Sequence, residues 1–553
     1  MSDIQVQYVN EVRCRVVARR EIMISLKDEF SFFANGYKFH PLYKQGKWSG
    51  KISMIDKNGL FYSGLLKSLL KHCKEKGLSI VVDEISRYMP TPIDDSIIDK
   101  LSSYIKFPPY DYQQRSVKEA LSKRKLLILS PTSSGKSLIS YMLYRYCVDN
   151  NIKLLINVPS TSLCEQLYSD FKSYVSDDHN VDDYVHTLYS GKDKNTDKMV
   201  VISTWQTSSN MDPEWFKQFG FYIVDEAHTA TSKELSAIID HLGHCPYRIG
   251  MTGTLNGTSI HEIEIHARFG EIFKMVTTRE LIDRGIVTDI GINMVHLKYN
   301  ADEVKRMNAF CKNDYQREID YIINSEARNN YMVDLALSLP NTTLMLFNRV
   351  EEHGMVLMEM LENRAVENMK KIFFISGKIK VKERERIRLL LDADLPKYHR
   401  VTLSNGTVAV FDAEFISYEY ASSFLSDSTQ IDQINESNTY LPDGYKDQHV
   451  TSVETVEGAH ILLASYGTLA VGVNIKNLHN LIFGHPFKSK IINLQSIGRI
   501  LRKSAVKNKV YLYDLMDDFK KGKKENHVYK HATERLALYE AEEFDYDIIQ
   551  HPL

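Results

Sequence analysis

The chain has 553 residues, of which 43% are hydrophobic and 25% charged, and a formal net charge of −2. That length exceeds one core and predicts three or four domains, while the lack of any run of about 18 apolar residues predicts no membrane span. Six cysteines (Cys14, Cys73, Cys147, Cys164, Cys245, Cys311) stand far apart without a CxxC pair. This argues against a zinc site or a disulfide framework and for a reducing cytoplasm.

The first residues, MSDIQVQYVNEVRCR, lack the apolar core of a signal peptide. Residues 1–92 read as a small αβ domain, and residues 1–90 carry about six more basic than acidic side chains. Within it Lys38, Lys44, Lys47 and Lys51 interleave with Tyr37, Phe39, Tyr43 and Trp48. Lysines contact phosphates without sequence preference and aromatic rings stack on unpaired bases, so Lys38, Lys47 and Trp48 are candidate DNA contacts. The bland alternative makes the aromatics a core and the lysines a solvated face.

From Lys125 onward, short apolar runs alternate with helix-length segments: KLLILS (125–130), KLLINVP (153–159), MVVIST (199–204), FYIVDE (221–226) and YRIGMTGT (247–254). That rhythm predicts a doubly wound parallel sheet over 93–292, with ligands at the carboxyl ends of its strands. The first run ends in Ser130-Pro-Thr-Ser-Ser-Gly-Lys-Ser137, the phosphate-loop pattern GxxxxGK[ST] with Ser130 in place of the first glycine. The backbone of Thr132, Ser133, Ser134 and Gly135 would cradle the phosphates of ATP. Lys136 would reach the β and γ phosphates, and Ser137 would ligate Mg²⁺. The fourth run ends in Asp225-Glu226-Ala227-His228; there Asp225 would hold Mg²⁺ through water and Glu226 would polarise the attacking water.

A second strand–helix series follows over 293–515: TLMLFNR (343–349), KIFFISG (371–377), HILLASY (460–466), LIFGHP (481–486) and KVYLYDL (509–515). It has no GKS and so needs no nucleotide of its own. It offers instead Gln495-Ser-Ile-Gly-Arg-Ile-Leu-Arg502, where Gln495, Gly498, Arg499 and Arg502 share a helix face. Two arginines on one face can stabilise charge on a transferring phosphoryl group. A segment at about 396–458 interrupts this sheet. Asn405-Gly406 marks a hairpin there, and an acidic stretch follows (Asp427, Asp432, Glu436, Asp443, Asp447), which suits a surface excursion or a protein contact better than a DNA wedge. Residues 516–553 read as a short helical tail. Lys520-Lys-Gly-Lys-Lys524 before it is either a phosphate contact or a solvated linker. His261 and His266 stand five apart, the wrong spacing for a zinc pair on one helix face.

Taken in order, these motifs resemble those of superfamily 2 helicases, which implies two tandem RecA-like lobes. The resemblance makes Gln113 (in Tyr110-Asp-Tyr-Gln-Gln114) the adenine-reading glutamine. It also makes Pro159 and Ser160 (in VPSTSLCEQ, 158–166) and Thr204 and Gln206 (in STWQT, 203–207) nucleic-acid contacts. Thr252-Gly-Thr254 falls where the family couples hydrolysis to movement, Gln495, Arg499 and Arg502 fit its QxxGRxxR helix, and Gly472-Val-Asn474 fits the preceding motif, with asparagine where an acid is common. Outside these motifs the chain is similar to the UvsW-type phage recombination helicases. The similarity rests on Phe30-Ser-Phe-Phe-Ala-Asn-Gly-Tyr-Lys-Phe39 with Trp48-Ser-Gly50, Phe269–Phe273, Lys488–Ile491 and the tail around Lys530, His531, Arg535, Tyr539 and Phe544. It implies an ATP-dependent, 3′-to-5′ motor acting on branched or forked DNA, single-stranded DNA and R-loops with their RNA–DNA hybrids, in recombination, repair and branch migration. The rivals are the motor subunit of a restriction system, which would need a nuclease domain, and an RNA-remodelling helicase, which would need a larger C-terminal domain.

Overall fold

Apolar runs set the architecture of the first half of the chain. Leu126–Ile128, Leu154–Val158, Val200–Thr204 and Phe221–Val224 are buried on both faces of the sheet they form, as parallel strands sheathed in helices must be. The computed structural model describes residues 2–553 except 230–231, 256–258, 424–437, 471–474, 505–506, 521 and 523. The chain divides into two units, Met1–Thr277 and Thr278–Leu553.

The first unit opens with β1 (Ile4–Tyr8), β2 (Arg13–Ala18), β3 (Ser31–Phe33), β4 (Lys51–Ser53), β5 (Leu60–Tyr62) and β6 (Ile80–Val82). Strands β5-β2-β1-β6 make a four-stranded sheet, and β3-β4 a separate antiparallel ribbon. There follow β7 (Lys125–Leu129), β8 (Leu154–Val158), β9 (Val185–Leu188), β10 (Val200–Thr204), β11 (Phe221–Asp225), β12 (Tyr247–Thr252) and β13 (Glu271–Lys274). They form one parallel sheet in the order β13-β7-β12-β11-β8-β10-β9. The five long runs read from the sequence are its interior. The edge strands β9 and β13 have four residues each, too few to give a period.

The small sheet is fastened to the amino ends of β7 and β12. Arg248, at the start of β12, is fully buried and donates to the Glu11 carbonyl (2.9 Å) and the Cys245 carbonyl (3.2 Å). Lys125, at the start of β7, pairs with the Glu11 carboxylate at 3.0 Å. Buried cations without partners would be costly, so these contacts fix the junction. The helix Ser259–Phe269 joins the two cores: Ile260 and Ala267 pack into the small sheet's core, Ile265 and Phe269 into the large one's.

The second unit contains β14 (Asp289–Lys298), β15 (Thr343–Phe347), β16 (Lys370–Ile375), β17 (Lys397–Leu403), β18 (Val408–Asp412), β19 (Thr439–Tyr440), β20 (Val450–Glu457), β21 (Ala459–Ser465), β22 (Asn480–Phe483), β23 (Lys509–Asp518) and β24 (Asp545–Pro552). Its large parallel sheet runs β16-β21-β15-β22-β23-β14-β24, so the chain carries two RecA-like α/β sheets. Division after Thr277 rather than after 292 follows from β14, which pairs with β23 from Asp289↔Lys509 to Lys298↔Asp518. The tail forms the helix His527–Ala541 and then adds β24 alongside β14.

Between β16 and β21 the interrupting segment forms its own antiparallel sheet, β19-β18-β17-β20, around Val401, Leu403, Ala409, Phe411 and Ala421. Its first turn uses Gly406 at φ +82°, a conformation glycine adopts freely. Asp427, Asp432 and Glu436 of its acidic stretch lie outside the described residues, as do Lys521 and Lys523.

Candidate nucleotide and nucleic-acid sites

Strand order turns scattered motifs into one row. The carboxyl ends of the neighbours β7, β12, β11, β8 and β10 carry, in that order, the 130–137 loop, Thr252–Thr254, Asp225–His228, Pro159–Ser160 and Thr204–Gln206. Carboxyl ends of parallel strands are where such sheets bind ligands.

The loop after β7 is tied to its neighbour by Ser130 N–H, which donates to the Thr252 carbonyl at 2.9 Å. Ser130, standing where the pattern has glycine, is buried and shares a short hydroxyl contact with Ser134, whose Oγ donates to the Pro131 carbonyl at 2.7 Å. The serine therefore braces the loop from inside. Ser133 (φ +66°) and Gly135 (φ +85°) turn the backbone into the helix Lys136–Asp149, and Thr132 is half-buried between. Lys136 Nζ rests on the Ser130 and Pro131 carbonyls at 3.3 and 3.4 Å. Ser137 Oγ is 2.7 Å from the Tyr174 hydroxyl.

Gln113 is engaged at both ends. Its Oε1 accepts from Tyr110 N–H at 2.9 Å and its Nε2 donates to the Ser134 carbonyl at 3.0 Å. A Cβ on residue 135 would lie 2.2 Å from that Nε2 and displace the Gln113 amide, and the φ of +85° itself favours glycine. The glutamine joins its own helix to the phosphate loop.

Asp225 and Glu226 end β11, with Glu226 in the left-handed region at φ +52° and its N–H on Asp225 Oδ1 at 2.9 Å. Burial, then the adjacent Glu226, push the Asp225 carboxyl up to about 6, against the pull of Lys136. Two crowded carboxylates within the field of Lys136 make a donor set that fits a divalent cation, whose charge would relieve the crowding. His228 Nδ1 lies 3.2 Å from Glu226 Oε2 and 3.0 Å from Thr252 Oγ1. Thr252 Oγ1 gives its own hydrogen to the Thr254 carbonyl at 3.0 Å, so it accepts from His228. The DEAH and TGT segments are thus joined directly.

Ser160 and Thr204 both cap helices: Ser160 Oγ accepts from Leu163 N–H at 3.3 Å, and Thr204 Oγ1 from Thr207 N–H at 3.3 Å. They follow or end strands paired as Thr204↔Val158, so Pro159, Ser160, Thr204 and the exposed Gln206 form one patch of helix N-termini, which favours anions. Apart from this row, Lys38 and Lys47 are exposed. Trp48 is half-buried; its Nε1–H donates to the Lys51 carbonyl at 3.0 Å and its ring meets His40 edge-on at 5.0 Å.

In the second unit the helix Lys490–Ile500 carries Gln495 and Arg499, and Arg502 lies two residues past its end. The Leu501 and Arg502 carbonyls accept from Thr288 N–H (2.8 Å) and its hydroxyl (3.4 Å). The strap 484–489 that leads into this helix is held by side chains from elsewhere. Arg328 donates to the Gly484 carbonyl (3.1 Å), Tyr466 to His485 (3.2 Å), and both Arg535 and Asn493 to Phe487 (3.2 Å each). Residues 472–474 lie outside the described residues.

Comparison with known proteins separates this chain from other motors of the same fold. A family model described as the type III restriction enzyme res subunit matches residues 106–257, and one described as the N-terminal region of DNA helicase UvsW matches residues 3–83. The ATP-dependent DNA helicase UvsW of Enterobacteria phage T4 is 30% identical over 98% of both chains. The chain belongs to the UvsW family of DNA helicases. The crystal structure of T4 UvsW aligns over 100% of this chain and 99% of that one, at 28% identity and a TM-score of 0.46. A DNA 3′-5′ translocase of Sulfurisphaera tokodaii is 26% identical over 29% of this chain and 35% of its own length.

Membership in a family of ATP-dependent helicases means that this chain uses a nucleotide and binds nucleic acid. No helix among the described residues is long and apolar enough to cross a membrane. Sequence reading missed the groups that hold the arginine helix of this UvsW-type chain. Arg535 is bidentate to Asp514 (2.6 and 2.7 Å), Tyr539 donates to the same carboxylate (2.8 Å), and all three are buried. Arg328 likewise grips Asp517 (2.8 and 3.2 Å), which also accepts from Tyr299 at 2.8 Å. The available signal was a lone arginine in the tail with a tyrosine four residues on, which names no partner.

Proposed function

We propose that this protein couples ATP hydrolysis to the unwinding and branch migration of forked DNA, Holliday junctions and R-loops, moving 3′ to 5′ and taking single strands and RNA–DNA hybrids among its substrates. The observation that carries the reading is the row of motif-bearing loops at adjacent strand ends, the phosphate loop beside Thr252–Thr254 and the Asp225–Glu226 pair. In it the loop backbone of Thr132–Gly135 and Lys136 take the phosphates, and Gln113 exchanges its hold on the loop for the adenine. Ser137 and Asp225 are the residues that would hold Mg²⁺, which supplies positive charge to the phosphates when bound. Glu226 orients and deprotonates the attacking water while His228 fixes its carboxylate. Gln495, Arg499 and Arg502 supply charge to the transferring phosphoryl group in turnover.

Pro159, Ser160, Thr204 and Gln206 grip the DNA backbone through helix N-termini, and Lys38, Lys47 and Trp48 belong to a second contact surface in domain 1–92. The remaining domains are the two lobes, divided near Thr277 because β14 (Asp289–Lys298) spans 292–293, and the tail 516–553. The 396–458 insertion serves as a protein contact, so its excision should leave unwinding intact. The six buried thiols of the whole chain suit a reducing cytoplasm.

ATP turnover and strand separation measured side by side on forked DNA, a Holliday junction, an RNA–DNA hybrid and single-stranded RNA test the reading. Stimulation and unwinding should be strongest on the branched DNA. Turnover that ignores nucleic acid, or responds to RNA alone, overturns it.

A further inference from the structure

Residues 31–55 hold four lysines, six aromatic residues and no carboxylate. Most of those rings are spoken for inside the fold. Phe33 stacks on Tyr37 (centroids 4.5 Å apart), Tyr37 meets Tyr43 edge-on (4.9 Å), and Trp48 meets His40. Gly50, at φ +80°, lets the backbone close on this group; a Cβ there would lie 2.5 Å from the Tyr37 ring. The aromatic cluster is therefore the miniature core that allows a ribbon as short as β3-β4 to keep its shape, and Trp48 is part of that scaffold.

Phe39 stands apart. Its side chain is 80% exposed, the most of any large hydrophobic side chain described, and it makes no ring contact among the described residues. Its backbone is nonetheless held: Phe39 N–H donates to the Gly36 carbonyl (2.9 Å), His40 N–H to Tyr37 (3.1 Å), and Pro41 follows. A large apolar ring presented on an ordered turn loses little conformational freedom when it binds. Lys38 precedes it, and Lys44 and Lys47 follow, all exposed.

We infer that Phe39 is a stacking element that reads the discontinuity at a DNA branch point. This rests on the reading that the Lys38–Lys47 surface binds DNA. Lysines without sequence preference hold phosphates anywhere along a duplex. An aromatic face needs an exposed base face, which a continuous duplex hides within its stack and a fork or junction offers at its last pair or first unpaired base. Lysines and phenylalanine together thus recognise branched DNA by shape, and Phe39 supplies the preference for branches over linear duplex.

The test uses the full chain, a fork with a fluorescent adenine analogue at the branch point, and a relaxed, covalently closed circular duplex, which has no last pair, as the control. Phe39→Ala should lower affinity for the fork about tenfold, the scale of one lost base–aromatic stack, leave affinity for the closed circular duplex unchanged, and abolish quenching of the analogue. Phe39→Trp should restore both. Suppose Phe39→Ala behaves as native while the Lys38→Glu/Lys47→Glu pair weakens both DNAs: the stacking role is then overturned and the DNA surface stands. Should neither variant alter binding to either DNA, the surface and the stacking role fall together.

Discussion

Replacing Arg535 by alanine strands a carboxylate. Asp514 is 0% exposed, and it is neutralised by two guanidinium bonds of 2.6 and 2.7 Å and steadied by the Tyr539 hydroxyl at 2.8 Å. Arg535→Ala leaves only the hydroxyl, and breaking a buried pair from one side costs about 3–5 kcal/mol. At roughly 2–4 °C per kcal/mol for a folding unit of this size, the melting temperature should fall by roughly 6–20 °C. Removing both charges by Asp514→Leu with Arg535→Met, plus Tyr539→Phe, should restore most of that loss, because buried pairs are often no better than well-packed apolar groups.

ATPase activity should follow a different course. The Phe487 carbonyl at the entrance to the arginine helix loses its Arg535 donor in both variants and keeps only Asn493. DNA-stimulated turnover in the triple variant should therefore stay well below native, with ATP affinity little changed. Calorimetry and steady-state ATPase assays on the same preparations separate the two effects. A triple variant that melts as low as Arg535→Ala would refute the stranded-charge argument, and one whose turnover recovers in step with its melting temperature would refute the positioning argument.

Lys136→Ala should abolish ATP turnover without lowering the melting temperature, since Lys136 rests only on loop carbonyls; native turnover would remove the phosphate-loop assignment. Glu226→Gln should bind nucleotide but hydrolyse it at a small fraction of the native rate, and a normal rate would exclude Glu226 as the base. Arg502→Ala should cost about a thousandfold in turnover if it acts as an arginine finger does, whereas less than tenfold would make it structural. Asp225 also sets a pH dependence. Because its carboxyl is raised from 3.8 to about 6, the folded chain holds that proton more tightly than the unfolded one. Its contribution to stability is full below about 4 and lost as pH rises through 6. Asp225→Asn should be inactive yet melt above native near neutral pH, and a lower melting temperature there would show that burial does not dominate.

Local chemistry made much of this protein legible before any coordinates. A strand buried on both faces has to be an apolar run, so β7, β8, β10, β11 and β12 stood out, as did β15, β21 and β22, while β16 and β23 were legible as runs though only partly buried. A loop that hugs phosphates needs Gly135 and Lys136 at fixed spacing. Asn405-Gly406 announced its hairpin in the same way. What stayed hidden depends on which strands become neighbours. Edge strands such as β9, β13 and β24 are short or mixed in polarity and are defined by the partner they pair with. The bond from His228 to Thr252 exists because β11 lies beside β12, and the pairing of Arg535 with Asp514 exists because the tail helix packs on β23. Phe39 was visible as one of six aromatics, and only the packing showed that Tyr37 meets Tyr43 and Trp48 meets His40, leaving Phe39 to the solvent. Sequence alone determined the chemistry, because each motif's spacing is a local property of the chain; the tertiary structure decided which groups touch, because burial and pairing join segments from 21 residues apart (Arg535 and Asp514) to 237 apart (Arg248 and Glu11).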